Sequence, residues 1–270
     1  MNALVTGASG FAGKHLCRHL LSLGIQVHGL TRKPLPTHGV VVHQSDILDR
    51  ENLKLVVEKS RPDYIFHLAA ISSVRKSFQE PDLTRKTNVD GTRNILDAAS
   101  EKAKNAKILL VSTSEVYGEQ ERMPITEKQE PDPLNPYAES KLEMERLCES
   151  YEVDYIIARS FTHTGPGQSQ TFFCSEFAKA IAEIEKDIRK PVLTYGDEKI
   201  VRDLTDVRDV VQAYLLLLEH GKNREIYNVC SGKGLSIREI MSILTGLSSK
   251  TIETRQDTSK AGRSIRTMIG

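Results

Sequence analysis

The sequence predicts a doubly wound α/β fold: a parallel sheet with helices on both faces, and a smaller lobe assembled from separate stretches of chain. Three observations predict it. Short β-branched runs alternate with amphipathic stretches through the first two thirds of the 270 residues, the pattern of strands joined by crossover helices. A glycine-spaced turn lies between the first such strand and the first such helix. After Arg159 the alternation breaks, and it resumes near residue 207.

In order along the chain, Ala3-Leu4-Val5 reads as a strand and residues 14–23 as a helix ended by Gly24. Strands follow at Val27-His28-Gly29-Leu30 and Val40-Val41-Val42, then a helix over 50–59 and a strand over 64–68. A helix over 88–102 leads into strand Ile108-Leu109-Leu110-Val111, and one over 140–149 into strand Tyr155-Ile156-Ile157. The Thr164-Gly165-Pro166-Gly167-Gln168 loop interrupts the series, with a long helix expected over 171–188. A helix over 207–220 and a strand over 226–230 then rejoin the sheet. The expected division is a sheet domain of residues 1–158 and 203–230, and a lobe of residues 159–202 and 231–270. The chain stops at Gly270 without a closing helix, which predicts further chain beyond it.

Composition narrows the function classes. Hydrophobic residues make up 39% and charged residues 27% of the chain, as in an ordinary globular enzyme. No apolar stretch approaches the roughly 20 residues of a membrane span, and no signal-peptide pattern opens the chain. The expectation is a cytoplasmic protein with no membrane partner. A net charge of +1 argues against a nucleic-acid footprint. The four cysteines lack CxxC spacing, and His15, His19 and His28 lack metal-ligand spacing, so neither zinc nor a disulfide framework is expected.

The first strand delivers Thr6-Gly7-Ala8-Ser9-Gly10-Phe11-Ala12-Gly13 into a helix. Gly7, Gly10 and Gly13 let the backbone turn tightly and approach a pyrophosphate, with Phe11 and Ala12 opening a helix whose N-terminus favours negative charge. A glycine triplet alone marks many turns; a strand before it and a helix after it make it a dinucleotide site of the Rossmann type. At the end of the second strand an NAD-selective site places a carboxylate. Here the chain has Thr31-Arg32-Lys33, and Arg32 suits the 2′-phosphate of NADP(H). Asp46 and Ile47, after the third strand, are placed to meet the adenine.

Tyr137-Ala138-Glu139-Ser140-Lys141 puts a phenol and an ammonium on one helix face. A neighbouring lysine favours the phenolate, making the tyrosine a usable proton donor to a carbonyl. The Ser112-Thr113-Ser114-Glu115 run ends a strand at the sheet edge where ligands bind, and a hydroxyl there can steady a reacting oxygen. A protein that only senses NADP has no need of all three groups.

With His67-Leu68-Ala69-Ala70-Ile71-Ser72, Thr87-Asn88-Val89-Asp90-Gly91-Thr92 and Ser112-Thr113-Ser114-Glu115-Val116-Tyr117-Gly118, residues 1 to about 250 resemble the extended short-chain dehydrogenase/reductases, the epimerase/dehydratase family that acts on nucleotide sugars. The resemblance implies Thr113 as the catalytic hydroxyl and Glu115 at the position of the dehydratase base. It also implies cofactor contacts at Leu68, Ala69 and Ala70 and at the Tyr137–Lys141 pair, and a homodimer. His163-Thr164-Gly165-Pro166-Gly167-Gln168, the run from Val201 to Asp209, and Tyr227-Asn228-Val229-Cys230-Ser231-Gly232 are most similar to the reductases that convert GDP-4-dehydro-6-deoxy-D-mannose to GDP-D-rhamnose. The 4,6-dehydratases of GDP-mannose are the alternative. Ser72, Thr162, Arg202 and Arg263 are the implied substrate contacts. Thr162 stands where the family usually has asparagine, and Arg263 where an Arg-Pro pair is expected slightly displaced.

Overall fold

A computed structural model describes residues 1–35, 37–257 and 265–270. The chain divides into two compact units, one of residues 1–118, 127–160 and 207–229, the other of residues 119–126, 161–206 and 230–270.

The first unit is a seven-stranded parallel sheet. Its strands are β1 (Asn2–Thr6), β2 (Gln26–Thr31), β3 (Val40–Gln44), β4 (Tyr64–His67), β5 (Lys107–Thr113), β6 (Tyr155–Ser160) and, from the last third of the chain, β10 (Ile226–Val229). The order β10-β6-β5-β4-β1-β2-β3 reverses direction between β1 and β4, the doubly wound arrangement whose ligands bind beyond the strand ends at the reversal. Every ladder is parallel, and the inner strands β1, β4, β5 and β6 are buried on both faces, whereas the edge strand β3 is largely exposed. Helices α1 (Phe11–Ser22) and α8 (Val207–His220) cover one face through Leu16, Leu20, Val210, Tyr214 and Leu218. Helices α2 (Arg50–Ser60), α5 (Gly91–Lys102) and α6 (Pro136–Cys148) cover the other, with Leu53, Ile95, Leu96 and Met144 in the core.

Two helices start earlier than the hydrophobic period suggests. α1 begins at Phe11, because Gly10 is its N-cap, and α6 begins at Pro136, because Asn135 is its N-cap. Period marks the buried stripe, whereas the cap marks the first turn. Two short helices, α3 (Val74–Gln79) and α4 (Pro81–Arg85), and one π-helical turn (Lys86–Asp90) precede α5.

In the second unit, α7 (Phe173–Glu185) and α9 (Ile237–Gly246) pack Phe177, Ile181, Ile184 and Met241 against Leu193 of β8 (Val192–Tyr195). Strand β9 (Val201–Asp206) is the hub of a small sheet, pairing with β7 (Thr162–Thr164), β11 (Gly234–Ser236) and β13 (Thr267–Met268), while β12 (Glu253–Gln256) pairs with β8. The stretch between Arg159 and residue 207, where the sequence alternation breaks, nonetheless holds a strand at Arg202. The polar run is a strand whose buried Asp203 carboxylate accepts the backbone N–H groups of Ser231 at 2.7 Å and Gly232 at 2.8 Å. A polar side chain satisfied by the backbone leaves no hydropathy signal.

Candidate active site

The glycine turn sits at the carboxyl end of β1, beside the reversal. Gly7 has φ +69°, and a Cβ there would stand 2.9 Å from the Ala69 backbone nitrogen; one on Gly13 would stand 2.3 Å from the Gly7 carbonyl oxygen. These two glycines are therefore required by the packing of β1, α1 and the loop after β4. Gly10 caps α1 without a side-chain hydrogen bond, and no acidic residue occupies the first turn. A helix start of this kind retains its preference for an anion. The dinucleotide reading fits the turn.

Leu68, Ala69 and Ala70 form the half-buried loop after β4, and Ser72 follows, exposed. The loop is fixed by two polar residues that the sequence quotes but gives no role. His67 bridges Thr6 through Nδ1 and Thr92 through Nε2, both at 2.9 Å. Thr92 spends its own hydroxyl proton on the Asn88 carbonyl oxygen, which assigns the proton of His67 to Nε2. The Thr6 hydroxyl then donates to Nδ1 and accepts the Ala69 N–H at 3.1 Å. Burial holds this histidine neutral, pushed down to about 3. Asn88, in the π-helical turn, accepts from Ile71 N at 2.8 Å and donates to Ser140 of α6 at 2.9 Å, tying the loop to the helix that carries Tyr137 and Lys141.

At the end of β2, Arg32 is 69% exposed, with Nη1 3.4 Å from Asp46 Oδ2. Asp46 also accepts the Leu48 N–H at 2.9 Å. The Ile47 side chain is buried in the sheet core.

Thr113, Glu115, Tyr137 and Lys141 all lie in the first unit. Thr113 ends β5 and caps the short 3-10 turn Ser114–Tyr117. Tyr137 lies in the first turn of α6, with the Thr113 side chain close to its phenol. Burial pushes that phenol up to about 12; the nearby Thr113 hydroxyl opposes the shift and the Glu115 charge adds to it. Lys141, one turn on, is buried and donates to the Val111 carbonyl oxygen at 2.7 Å. Burial pulls its ammonium down to about 8, with Glu145 opposing. Asn135 caps α6 through Oδ1 to Ala138 N at 2.9 Å and gives its Nδ2 to Glu115 Oε2 at 3.1 Å. A small polar residue before Pro-Tyr is a sequence signal for this cap.

In the second unit, Thr162 opens β7 and pairs with Leu204 of β9. Arg202 is buried in β9, its Nη1 donating to the Val201 carbonyl oxygen at 2.9 Å. Arg263 lies outside the described residues. Among the described residues, no group of three or more His, Cys, Asp and Glu is placed to hold a metal, and no helix is long and apolar enough to cross a membrane.

The sequence pattern of the GDP-mannose 4,6 dehydratase family matches residues 4–268. The chain is 36% identical over 265 residues to the GDP-6-deoxy-D-mannose reductase of Pseudomonas aeruginosa, covering 96% of this chain and 84% of that one. It is 28% identical to a GDP-mannose 4,6-dehydratase of Vibrio cholerae, over 89% and 70% of the two chains. The structure of RMD from Pseudomonas aeruginosa, complexed with NADPH, superposes with a TM-score of 0.87 at 33% identity, covering 100% of this chain and 89% of that one.

Proposed function

The chain belongs to the GDP-mannose 4,6 dehydratase family, and from that membership we propose that it is an NADPH-dependent reductase of a GDP-linked 4-keto-6-deoxy sugar, converting GDP-4-dehydro-6-deoxy-D-mannose to GDP-D-rhamnose. The observation that carries the proposal is the 36% identity, over 96% of the chain, to a GDP-6-deoxy-D-mannose reductase. Gly7, Gly10, Phe11, Ala12 and Gly13 would hold the cofactor pyrophosphate, Arg32 its 2′-phosphate, and Asp46 and Ile47 the adenine side. Leu68 to Ala70 and Lys141 would hold the nicotinamide riboside. Bound NADPH supplies a hydride to the C4 ketone.

The protein's own work is proton transfer and placement. Tyr137 stays protonated through neutrality because it is buried, and a neutral phenol is the acid that a ketone needs as its oxygen gains charge. Thr113, close to that phenol, would hold the same oxygen. Lys141 would place a positive charge behind the phenol and ease loss of its proton. Glu115 orients substrate on this reading, with Ser72, Thr162, Arg202 and Arg263 as further contacts.

A second reading, a GDP-mannose 4,6-dehydratase, is favoured by one observation: Glu115 is held by Asn135, as a carboxylate base acting at C5 would need to be. Stoichiometry separates the two. The reductase consumes one NADPH per product and leaves GDP-mannose untouched; GDP-mannose converted with no fall in NADPH absorbance overturns it.

The same reading includes a cytoplasmic homodimer. The buried thiols of Cys17, Cys148 and Cys174 suit a reducing compartment. Phe78 and Leu83, exposed on α3 and α4, offer apolar surface for a second copy. A monomer by sedimentation removes that part.

A further inference from the structure

A buried ion pair stands behind the acid/base helix and has no part in the steps above. Arg159, in β6, donates Nε to Glu145 Oε1 at 3.1 Å and Nη2 to Oε2 at 2.7 Å, and both side chains are 4% exposed. The Ser112 hydroxyl donates to the same Oε1, and the guanidinium carbon lies 4.7 Å from the centre of the Tyr117 ring. Such a pair adds little stability over a well-packed apolar one, because two charges have left water.

Its position gives it another use. Glu145 lies four residues beyond Lys141 on α6, and residues so spaced face the same side. The Lys141 ammonium, itself buried, rests on the Val111 carbonyl, a neutral acceptor. The other titratable groups around it are uncharged: Cys148, also on α6, has its thiol pushed up to about 12 by burial, and His67, from β4, is pushed down to about 3. Tyr137, one turn before, is a neutral phenol. Glu145 reaches Ser112 of β5, the neighbour of the Val111 whose carbonyl holds the ammonium, and its charge favours the protonated amine.

We propose that the Glu145–Arg159 pair is the built-in counter-charge of Lys141, with Arg159 pinning the carboxylate where it keeps the buried ammonium protonated. Glu145 and Arg159 are positioning residues that act through Lys141. Removing a negative charge from beside a buried amine lowers the pH at which it loses its proton. Lys141 then becomes neutral near physiological pH, and the phenol loses its positive neighbour. The consequence for turnover rests on the proposed function; the titration of Lys141 does not.

The test is the titration of the Lys141 Nζ by nitrogen-15 NMR in the full chain, alongside the pH profile of kcat. Glu145→Gln alone strands a guanidinium in the core, so the variant of choice is Glu145→Gln/Arg159→Met, which removes both charges together. The parent midpoint is expected at about 8, and the paired variant should lower it by about one pH unit or more. The basic limb of kcat should move down with it. Glu145→Asp keeps the charge one methylene further away and should shift the midpoint less, in the same direction. A midpoint unmoved in both variants, or a parent midpoint below 7, overturns the proposal and leaves the pair a structural tie. A midpoint that falls while the kcat profile stays put supports the counter-charge and instead removes Lys141 from the proposed chemistry.

Discussion

Asn135 donates its Nδ2 to Glu115 Oε2 at 3.1 Å while its Oδ1 caps α6 on the Ala138 N–H. One side chain thus fixes both the start of the helix that carries Tyr137 and the direction of the nearby carboxylate. The roles separate by substitution. Serine caps a helix as well as asparagine does, so Asn135→Ser should melt near the parent temperature. It loses the donor to Glu115, and turnover should fall about fivefold, the rate equivalent of one ordinary hydrogen bond. Asn135→Ala loses the cap as well, costing about 1 kcal/mol of stability. Parental turnover in Asn135→Ser would show that the Glu115 contact is idle.

Arg32 and Asp46 meet at 3.4 Å across the ends of β2 and β3. The guanidinium is exposed, so its attraction for a 2′-phosphate is screened. NADPH should nonetheless bind about tenfold more tightly than NADH, and Arg32→Ala should erase most of that ratio. Asp46→Asn removes the competing carboxylate and should widen it. Fluorescence titration of both cofactors measures this, and equal affinities in the parent protein would remove the argument.

Tyr137 and Thr113 lie close together in the first unit. Tyr137→Phe deletes the acid and should cut kcat by about 10²- to 10⁴-fold while leaving NADPH affinity within about twofold. Thr113→Val removes only the neighbouring hydroxyl and should have a smaller effect in the same direction. Near-parental kcat in Tyr137→Phe would place the proton transfer elsewhere.

The sheet was legible because its strands are apolar on both faces and its helices carry one apolar stripe, as in β1, β5, α1 and α8. The candidate site residues Gly10, Thr113, Tyr137 and Lys141 could be singled out because they stand in motifs at strand ends and helix starts. What stayed hidden has a common cause. Asn88, His67, Asn135 and Glu145 are polar, buried and satisfied by partners 14 to 61 residues distant, such as Arg159 or Thr6, or by a neighbour such as Ala138. Long-range satisfaction has no period for a sequence to display. Strand β9 was hidden likewise: its Asp203 finds its donors 28 and 29 residues on, at Ser231 and Gly232. Nor does anything in residues 119–126 signal that they pack with the second unit.

His67 sets an acid limit on stability. Its native form stays neutral down to about pH 3, whereas an ordinary histidine takes up its proton near 6.5. Below that value the unfolded chain binds a proton that the native one refuses, so stability is present above pH 6.5 and drains as pH falls toward 3. The slope from this residue is roughly 1.4 kcal/mol per pH unit. His67→Gln cannot take up that proton, and although less stable at pH 7 it should show a shallower acid limb. Urea midpoints at pH 4.5 and 7 compare the slopes, and parallel limbs in the two proteins would contradict the neutral assignment.

Glu115 separates the two reactions available to this family. In a reductase the carboxylate neither gives nor takes a proton at carbon, so product formed in deuterated water carries no deuterium at C5 or C6. Deuteride from labelled NADPH appears at C4. Glu115→Gln keeps the size and the contact distance to Asn135, and should slow turnover only about fivefold, the loss of one orienting interaction. In a dehydratase the same carboxylate would remove the C5 proton, water would leave across C5 and C6, and the hydride taken from C4 would return to C6. Solvent deuterium would then enter at C5, and Glu115→Gln would lose about 10²- to 10⁴-fold, the contribution of a general base. Burial holds the Tyr137 phenol protonated, with Glu115 raising it further, which is the form that donates to a ketone. Solvent deuterium at C5 together with collapse of the Glu115→Gln variant would assign the chain to the dehydratases.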